Sequence, residues 1–402
     1  MKICIIDSSD FLSHPSGGQL SFLHDFIKAV RDTDINIVLV GITTNFDEKV
    51  GKWSFRIIGG KRFPFIPVFL NGYKNTSKLP LIPIRLKIFF SMLLNKGKIG
   101  VSGFDVLYIH SPELLLPLLL SRRSKIVVHT HGMWENTSKF SRYKLIRCNL
   151  STKLFHRLVR FMMRKVDKVV VINDQSLNWY RNMFPNQKDK FVFVPTAVDK
   201  ELFRPLDKNK MRRIYGFQSC DKIIIFTGRL SWNKGLGFLL ESFNLLLSEI
   251  AMAKLVIVGD GEMLEYLLNR ARIYGIEQNT IFMGGRNREE LPKIINCADV
   301  FALTSFIEGM PMAVLESLAC GVPVVSLDVG DIKKVVRDNI SGFLVPRRDT
   351  YEFKNKLAEC IRLQNSMKKN CLQICEEYSI NRVARKLLEI NRKIGKKQNH
   401  LG

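Results

Sequence analysis

The feature that most constrains this 402-residue chain is an alternation that occurs twice. Short, uninterrupted runs rich in Ile and Val are separated by longer segments with helical periodicity. In the first half the runs fall at 2–6, 36–40, 105–109, 125–129, 168–172 and 191–194. In the second half they fall at 222–227, 254–258, 280–283, 299–303, 322–326 and 342–345. Continuous apolar runs suit strands covered on both faces, the condition of a parallel sheet. Helical segments between them, such as 236–250 and 261–274, predict a doubly wound α/β architecture. Regularity breaks around Pro195, Asp199 and Pro205. The expected organisation is a domain over 1–200, a second over 201–375, and a C-terminal helix with a basic tail over 376–402 that can pack back on the first domain.

Composition narrows the class. A chain with 46% hydrophobic and 25% charged residues is an ordinary globular one, which excludes disordered, collagen-like and coiled-coil chains. The first apolar run is too short for a signal peptide, and the longest, 114–120, is far short of a bilayer span. Eight cysteines include no C-x-x-C pair. Cys371 and Cys375 are four apart, but no second pair completes a metal site, so reduced cytosolic thiols are expected.

Charge is unevenly placed. Residues 1–200 hold 31 Lys and Arg against 14 Asp and Glu, net +17, whereas 201–402 hold 31 against 23, net +8. No acid occurs from Lys49 to Phe104, where there are eleven Lys and Arg, or from Asn136 to Val166, where there are nine. Such an excess suits an anionic partner: a nucleic acid, a membrane surface or a phosphorylated substrate. A nucleic-acid reader would interleave its cations with exposed aromatics on a recognisable module, and none is visible. Lys153, Arg157, Arg160 and Arg164 share a helical face, with Leu154, Leu158, Phe161 and Met162 nearby. Upstream, Arg85 and Lys87 open an equally apolar segment. Basic amphipathic helices bind anionic membrane surfaces, and that is the expected role of these six cations.

Ligands of open α/β sheets bind beyond the carboxyl ends of strands, so the loops after strands are the informative ones. After the first run comes Ser16-Gly17-Gly18-Gln19, a turn that brings backbone close to a ligand before a helix. After the first run of the second half comes Gly228-Arg229-Leu230-Ser231-Trp232-Asn233-Lys234-Gly235, with two cations able to grip phosphate oxygens. Gly259-Asp260-Gly261-Glu262 nearly matches a dinucleotide fingerprint, but Leu264 stands where its third glycine belongs, so a nucleotide-facing turn of another kind is expected. The segment 305–316 carries Glu308 in a loop and Glu316 on the helix that Pro311 can start. Amides near Met312 and Ala313 suit a phosphate, and a carboxylate suits both hydroxyls of a ribose. His129 and His131 permit a metal pair, but no third ligand is evident, and no metal is expected. Asp32-Thr33-Asp34 imitates a metal-binding D-x-D but precedes a strand, and is read as a solvated turn.

Taken in order, Arg229…Lys234-Gly235, Gly259-Asp260-Gly261, and Glu308 with Glu316 eight later resemble glycosyltransferase family 4, the group 1 glycosyl transferases of GT-B fold. The resemblance is close over 194–345 and looser before it. It implies two doubly wound Rossmann-like domains facing each other across a cleft. It implies a retaining hexosyltransferase that takes a nucleotide diphosphate sugar to a glycan or lipid-linked acceptor in cell-surface polysaccharide biosynthesis. It further implies that Arg229 and Lys234 bind the diphosphate, Glu316 the ribose and Glu308 the donor sugar. Gly17 and Gly18 would lie against the phosphates from the other domain, and His131 matches the family's histidine at a strand end. Gly259, Met312 and Ala313 complete the expected donor site. The usual Asn-Gly-Val-Asp turn between domains reads Thr196-Ala197-Val198-Asp199 here. The expected enzyme uses no cofactor and no metal, binds no nucleic acid, and works in the cytoplasm, peripheral on the inner face of the membrane. The alternatives are a sugar-nucleotide epimerase on similar units and a basic nucleic-acid-binding protein.

Overall fold

The uninterrupted apolar runs form two parallel sheets, each in its own unit. A computed structural model describes residues 1–13, 17–72, 84–99, 103–111, 114–119, 124–131 and 149–396. One unit comprises Met1–Pro195 with Val383–Gly402, and the other Thr196–Arg382. The first division falls between Pro195 and Thr196, a few residues ahead of the expected 200/201. The second falls inside the last helix, Ile380–Lys396, most of which belongs with the first unit.

In the first unit the strands are β1 (Lys2–Ile6), β2 (Asn36–Thr43), β3 (Ser54–Ile58), β4 (Lys61–Leu70), β5 (Val106–Ile109), β6 (Lys125–Thr130), β7 (Lys168–Val171) and β8 (Phe191–Phe193). Their order across the sheet is β3-β4-β2-β1-β5-β6-β7-β8. Only the β3–β4 pair is antiparallel. The sequence reading does not anticipate β3 and β4, because Pro64 and Pro67 argue against a strand between two others. The ladder absorbs them locally. Pro64 lies opposite Phe55, and the β2 pairing shifts register beside Pro67, between Gly41 and Ile42. Gly59 and Gly60, at φ 57° and 81°, supply the left-handed two-residue turn that a tight hairpin needs.

In the second unit β9 (Lys222–Thr227), β10 (Ala253–Val258), β11 (Thr280–Gly284), β12 (Val300–Leu303), β13 (Val324–Leu327) and β14 (Gly342–Val345) lie in the order β11-β10-β9-β12-β13-β14, all parallel. The five residues of β9 after Lys222 are all buried, as helices on both faces require. Burying each such Ile or Phe side chain contributes about 1.5–3 kcal/mol. At the amino end of β12, buried Asp299 gathers four donors: Lys208 Nζ at 2.5 Å, Arg212 Nη2 at 2.8 Å, Gln364 Nε2 at 2.7 Å and the Ile223 amide at 2.6 Å. That carboxylate ties two strands to the helices Lys208–Ile214 and Thr350–Glu377.

Helix starts differ in a way that bears on function. Asn173, Asp207 and Asp349 each cap a helix by accepting an amide N–H at 2.7–2.9 Å. The helices Gly18–Val30 and Met312–Ala319 begin after Gly17 and Pro311 with no side-chain cap. Their first amides are thus left to other partners.

Both sheets reverse direction beside their first strand: β1 lies between β2 and β5, and β9 between β10 and β12. A crevice at the carboxyl ends of such a pair is where open α/β sheets bind ligands.

Candidate active site

In the second unit the reversal point joins the two loops that carry the candidate residues. Beyond β9 a short turn, Trp232–Lys234, ends at Gly235, whose φ of 62° is left-handed. A Cβ there would stand 2.3 Å from the Thr304 carbonyl, so only glycine lets this loop approach the end of β12. The loops are then stitched together. The Phe306 amide donates to the Asn233 carbonyl at 2.8 Å, and Thr304 Oγ1 donates to the Lys234 carbonyl at 3.0 Å. As a result Lys234 Nζ lies 2.6 Å from Glu308 Oε1, which also accepts from Ser305 Oγ at 2.7 Å. Both charged side chains are mostly buried, at 22% and 13% exposure. Arg229 is exposed at the same strand end.

The other donor-site candidates lie around this pair. Met312 and Ala313 are half-buried at the uncapped start of their helix. Glu316, one turn further, is 6% exposed, with Arg288 Nη2 at 3.9 Å from its carboxylate. Gly259 holds φ 139° against the Gly228 carbonyl, where a Cβ would come within 1.9 Å. Asp260 beside it accepts the Gly285 amide at 2.8 Å, so the loops beyond β10 and β11 are held together too.

Two residues of this region escape the sequence reading. Arg348 donates to the Thr304 carbonyl at 2.8 Å while its guanidinium lies 3.8 Å over the Phe306 ring, clamping the loop that bears Glu308. Arg288 meets Glu316 from the loop after β11. Neither stands in a motif; each is defined only by folding.

In the first unit the reversal point is built from a hydrogen-bonded carboxylate and a group of imidazoles. Asp7, just past β1, is 2% exposed and accepts from Gln19 Nε2 at 2.5 Å and Ser111 Oγ at 2.7 Å. Gln19 comes from the first turn after the glycine pair, so the Asp7 contact anchors that turn. Gly17 and Gly18 are exposed. His131 follows β6, and its Nε2 lies 2.8 Å from Nδ1 of His110, which follows β5. His129 is fully buried and its Nδ1 meets the Tyr108 hydroxyl at 2.7 Å. Burial holds the His131 imidazole down to about 4. His110 and His129 are held well below the ordinary range by burial and then by their neighbouring imidazoles. All three are neutral at pH 7. His110 thus sets a third imidazole beside the H-x-H pair, where the sequence reading found no third candidate. The signal for it was there: His110 stands one residue past β5 much as His131 stands one past β6.

The expected membrane face is partly resolved. On the helix Asn149–Lys165, Lys153, Arg157, Arg160 and Arg164 are exposed, as are Leu158 and Phe161. Val159, Met162 and Met163 are buried in the core. On Ile84–Ile99, Leu86, Phe90 and Leu94 form an exposed stripe four residues apart, and Lys87 is half-buried. The Arg85 side chain lies outside the described residues. No described helix is long and apolar enough to cross a membrane. Asp32 and Asp34 are exposed in a turn before β2. Cys371 and Cys375 are buried and unpaired in disulfides, and burial pushes both thiols up.

Two family models meet this geometry. "Glycosyltransferase Family 4" matches residues 16–202 and "Glycosyl transferases group 1" matches residues 207–374. The chain belongs to the group 1, family 4 glycosyltransferases. An uncharacterized glycosyltransferase of Methanocaldococcus jannaschii is 34% identical over 264 residues, 62% of this chain and 64% of that protein, a little under two thirds of the relative's length. An Escherichia coli protein named UDP-Gal:alpha-D-GlcNAc-diphosphoundecaprenol alpha-1,3-galactosyltransferase is 28% identical over 69% of this chain and 71% of its own. Among solved structures, a sucrose-phosphate synthase of Thermosynechococcus elongatus superposes with TM-score 0.80 at 15% identity, covering 98% of this chain and 99% of that one. Anabaena HepE in complex with UDP and glucose superposes with TM-score 0.74 at 18% identity, covering 98% and 100%. This family 4 glycosyltransferase thus has the GT-B pair of Rossmann-like units.

Proposed function

We propose that this family 4 glycosyltransferase transfers a hexose, with retention, from a nucleotide diphosphate sugar to a glycan or lipid-linked acceptor in cell-surface polysaccharide synthesis. The observation that carries the reading is the Lys234–Glu308 pair at the reversal point of the second sheet, flanked by exposed Arg229 and an uncapped helix start. In the reaction the bond from the anomeric carbon to the diphosphate breaks and one to an acceptor oxygen forms. The acceptor proton leaves with the diphosphate, on which negative charge develops. Lys234 and Arg229 meet that charge, with the Met312 and Ala313 amides beside them. Glu308, freed from Lys234 as the phosphates arrive, faces the donor sugar, and Glu316 holds the ribose. For Gly17 and Gly18 the family resemblance implies binding to the phosphates, and for His131 a hydrogen bond donated to the sugar by a neutral imidazole.

The fixed cations supply what a divalent ion would otherwise supply, so turnover needs no metal or other cofactor. The printed name of the E. coli relative, with a diphosphoundecaprenol acceptor, supports a lipid-linked acceptor here. The exposed Arg157, Arg160, Arg164 and Phe161 support attachment to an anionic membrane from the cytoplasmic side, with Lys153, Arg85 and Lys87 adding charge. The decisive experiment measures nucleoside diphosphate released from UDP-, GDP- and ADP-sugars by wild type and by Lys234→Ala. Release that needs an acceptor and Lys234, and persists in EDTA, supports the reading; unchanged release in the variant overturns it.

A further inference from the structure

The three imidazoles of the first unit have a capacity that sugar binding does not use. His129 and His131 project from β6 with H-x-H spacing, and His110 joins them from the end of neighbouring β5. One nitrogen from each ring lies within 4.8 Å of those of the other two. Two of them, His110 Nδ1 and His131 Nε2, are already only 2.8 Å apart. Around a tetrahedral Zn²⁺ with bonds of 2.0–2.1 Å, ligand nitrogens stand about 3.3 Å apart, so this pair opens by about half an ångström and its two rings, now stacked, turn to aim both nitrogens at the ion. The third ring has its outer support in place. His129 Nδ1 is held by the Tyr108 hydroxyl at 2.7 Å, which leaves Nε2 as its ligating atom.

A second observation points to a missing partner. Nε2 of His129, the atom left to ligate, is fully buried with no hydrogen-bond partner. A buried polar atom left unsatisfied costs about 1–3 kcal/mol. The cost is borne in a region otherwise closely packed, with the Phe22 ring edge-on to His129 at 5.1 Å and to His131 at 5.6 Å. Neutral imidazole is the form that binds metal; for both nitrogens of the His110–His131 pair to ligate, the proton between them moves to the other nitrogen of the ring that carries it.

We propose that His110, His129 and His131 form a binding site for a borderline-soft divalent cation such as Zn²⁺. His110 Nδ1, His131 Nε2 and His129 Nε2 are the ligands, and the fourth position is open to water or to a ligand oxygen. Imidazole donors select Zn²⁺, Cu²⁺, Ni²⁺ or Co²⁺ over Mg²⁺, which keeps to oxygen. Binding is independent of the transferase reading. One consequence does rest on it: a bound cation takes His131 away from the donor sugar, so the ion inhibits transfer rather than serving it.

The test uses the whole chain stripped with EDTA and dialysed. Zn²⁺ is titrated against a chromophoric chelator, and bound metal is counted by mass spectrometry. Co²⁺ is added in parallel and its visible spectrum recorded. The expected result is one equivalent of Zn²⁺, with intense visible Co²⁺ bands of a four-coordinate site. His131→Ala, the least buried of the three, should weaken binding by more than about 100-fold, beyond the 10–100-fold typical of losing an outer partner. Tyr108→Phe should fall within that 10–100-fold range. Three outcomes overturn the proposal: no stoichiometric uptake by wild type, equal uptake by wild type and His131→Ala, or only the weak bands of six-coordinate Co²⁺. If nucleoside diphosphate release were absent throughout, the transferase reading would fail while the binding result stood.

Discussion

The two sheets place their reversal points in opposite chemical settings. In the second unit the point between β9 and β12 carries full charges, the Lys234–Glu308 pair with exposed Arg229 nearby. In the first unit the point between β1 and β5 carries a hydrogen-bonded carboxylate, Asp7, and a stack of neutral imidazoles. The same topology therefore yields one site suited to a highly charged ligand and one suited to hydroxyl groups or a metal ion. What separates them is solvent. Burial strips the imidazoles of water and keeps them neutral, whereas Lys234 has the Glu308 carboxylate as its ion-pair partner and Arg229 is exposed.

The contrast can be tested first where charge is structural rather than functional. Asp299→Asn should destabilise the second unit by about 3–5 kcal/mol, since Arg212 would keep its charge at 5% exposure without its counter-ion. Urea titration followed by hydrogen exchange in each unit should place the loss in residues 196–382. Acid makes the same point in both units. Burial pushes the Asp299 carboxyl up, but Lys208, Arg212 and the Ile223 amide outweigh it and hold the group below the ordinary range, and the Arg56 guanidinium holds Glu48 down to about 2. A carboxyl depressed in the folded state stabilises above its unfolded value and loses that contribution as pH falls through the folded one. Both pairs should thus be intact at pH 5. The Glu48 contribution should drain away between about pH 4.5 and 2, and Glu48→Gln should flatten that part of the acid titration.

The next effect is on turnover. Lys234→Ala or Arg229→Ala should each cost about 2.7–4 kcal/mol of transition-state stabilisation, a fall of 10²–10³ in kcat. Glu316→Ala should chiefly raise KM, since ribose is held alike before and during transfer. His131→Ala should cost less, about 0.5–1.5 kcal/mol for one neutral hydrogen bond, or roughly 2- to 13-fold. Equal losses at Lys234 and His131 would dissolve the contrast between the two points.

The smallest effect concerns the exposed basic helix. Each Lys or Arg near an anionic leaflet contributes about 1 kcal/mol, falling off within a Debye length of about 8 Å. Changing Arg157, Arg160 and Arg164 to Glu should abolish flotation with anionic vesicles, leave unfolding unchanged within about 0.5 kcal/mol, and spare turnover on a water-soluble acceptor. Flotation equal to wild type would return these side chains to plain solvent exposure.

The second unit was nearly readable in advance. Its strands are continuous apolar runs, and its site residues sit in loops directly after them, so Lys234 and Glu308 could each be singled out, though only the fold shows that they meet. The first unit was less so. Pro64 and Pro67 concealed β4, because a residue that lacks an amide donor argues against a strand until the partner register is known. His110 stayed hidden because its neighbour, His131, is 21 residues away, joined by a parallel pairing that sequence does not print. Arg348 and Arg288 were hidden for the same reason: each meets its partner only through tertiary contact.

The last helix sets an order of events in synthesis. Val383, Ala384, Leu387, Leu388 and Asn391 are buried, and Gly395 packs near Met1 and Asp105 beside the first strand. The second unit can close on its own once Ile380 reaches the Val198 carbonyl, 3.0 Å away. The first unit cannot, because its final covering arrives only after residues 196–382 have been made. At about 5–20 residues per second, those 187 residues (382 − 196 + 1) hold the ribosome for roughly 10–40 s. Throughout that interval residues 1–195 wait with an apolar face bare, until residues 383–396 arrive to cover it.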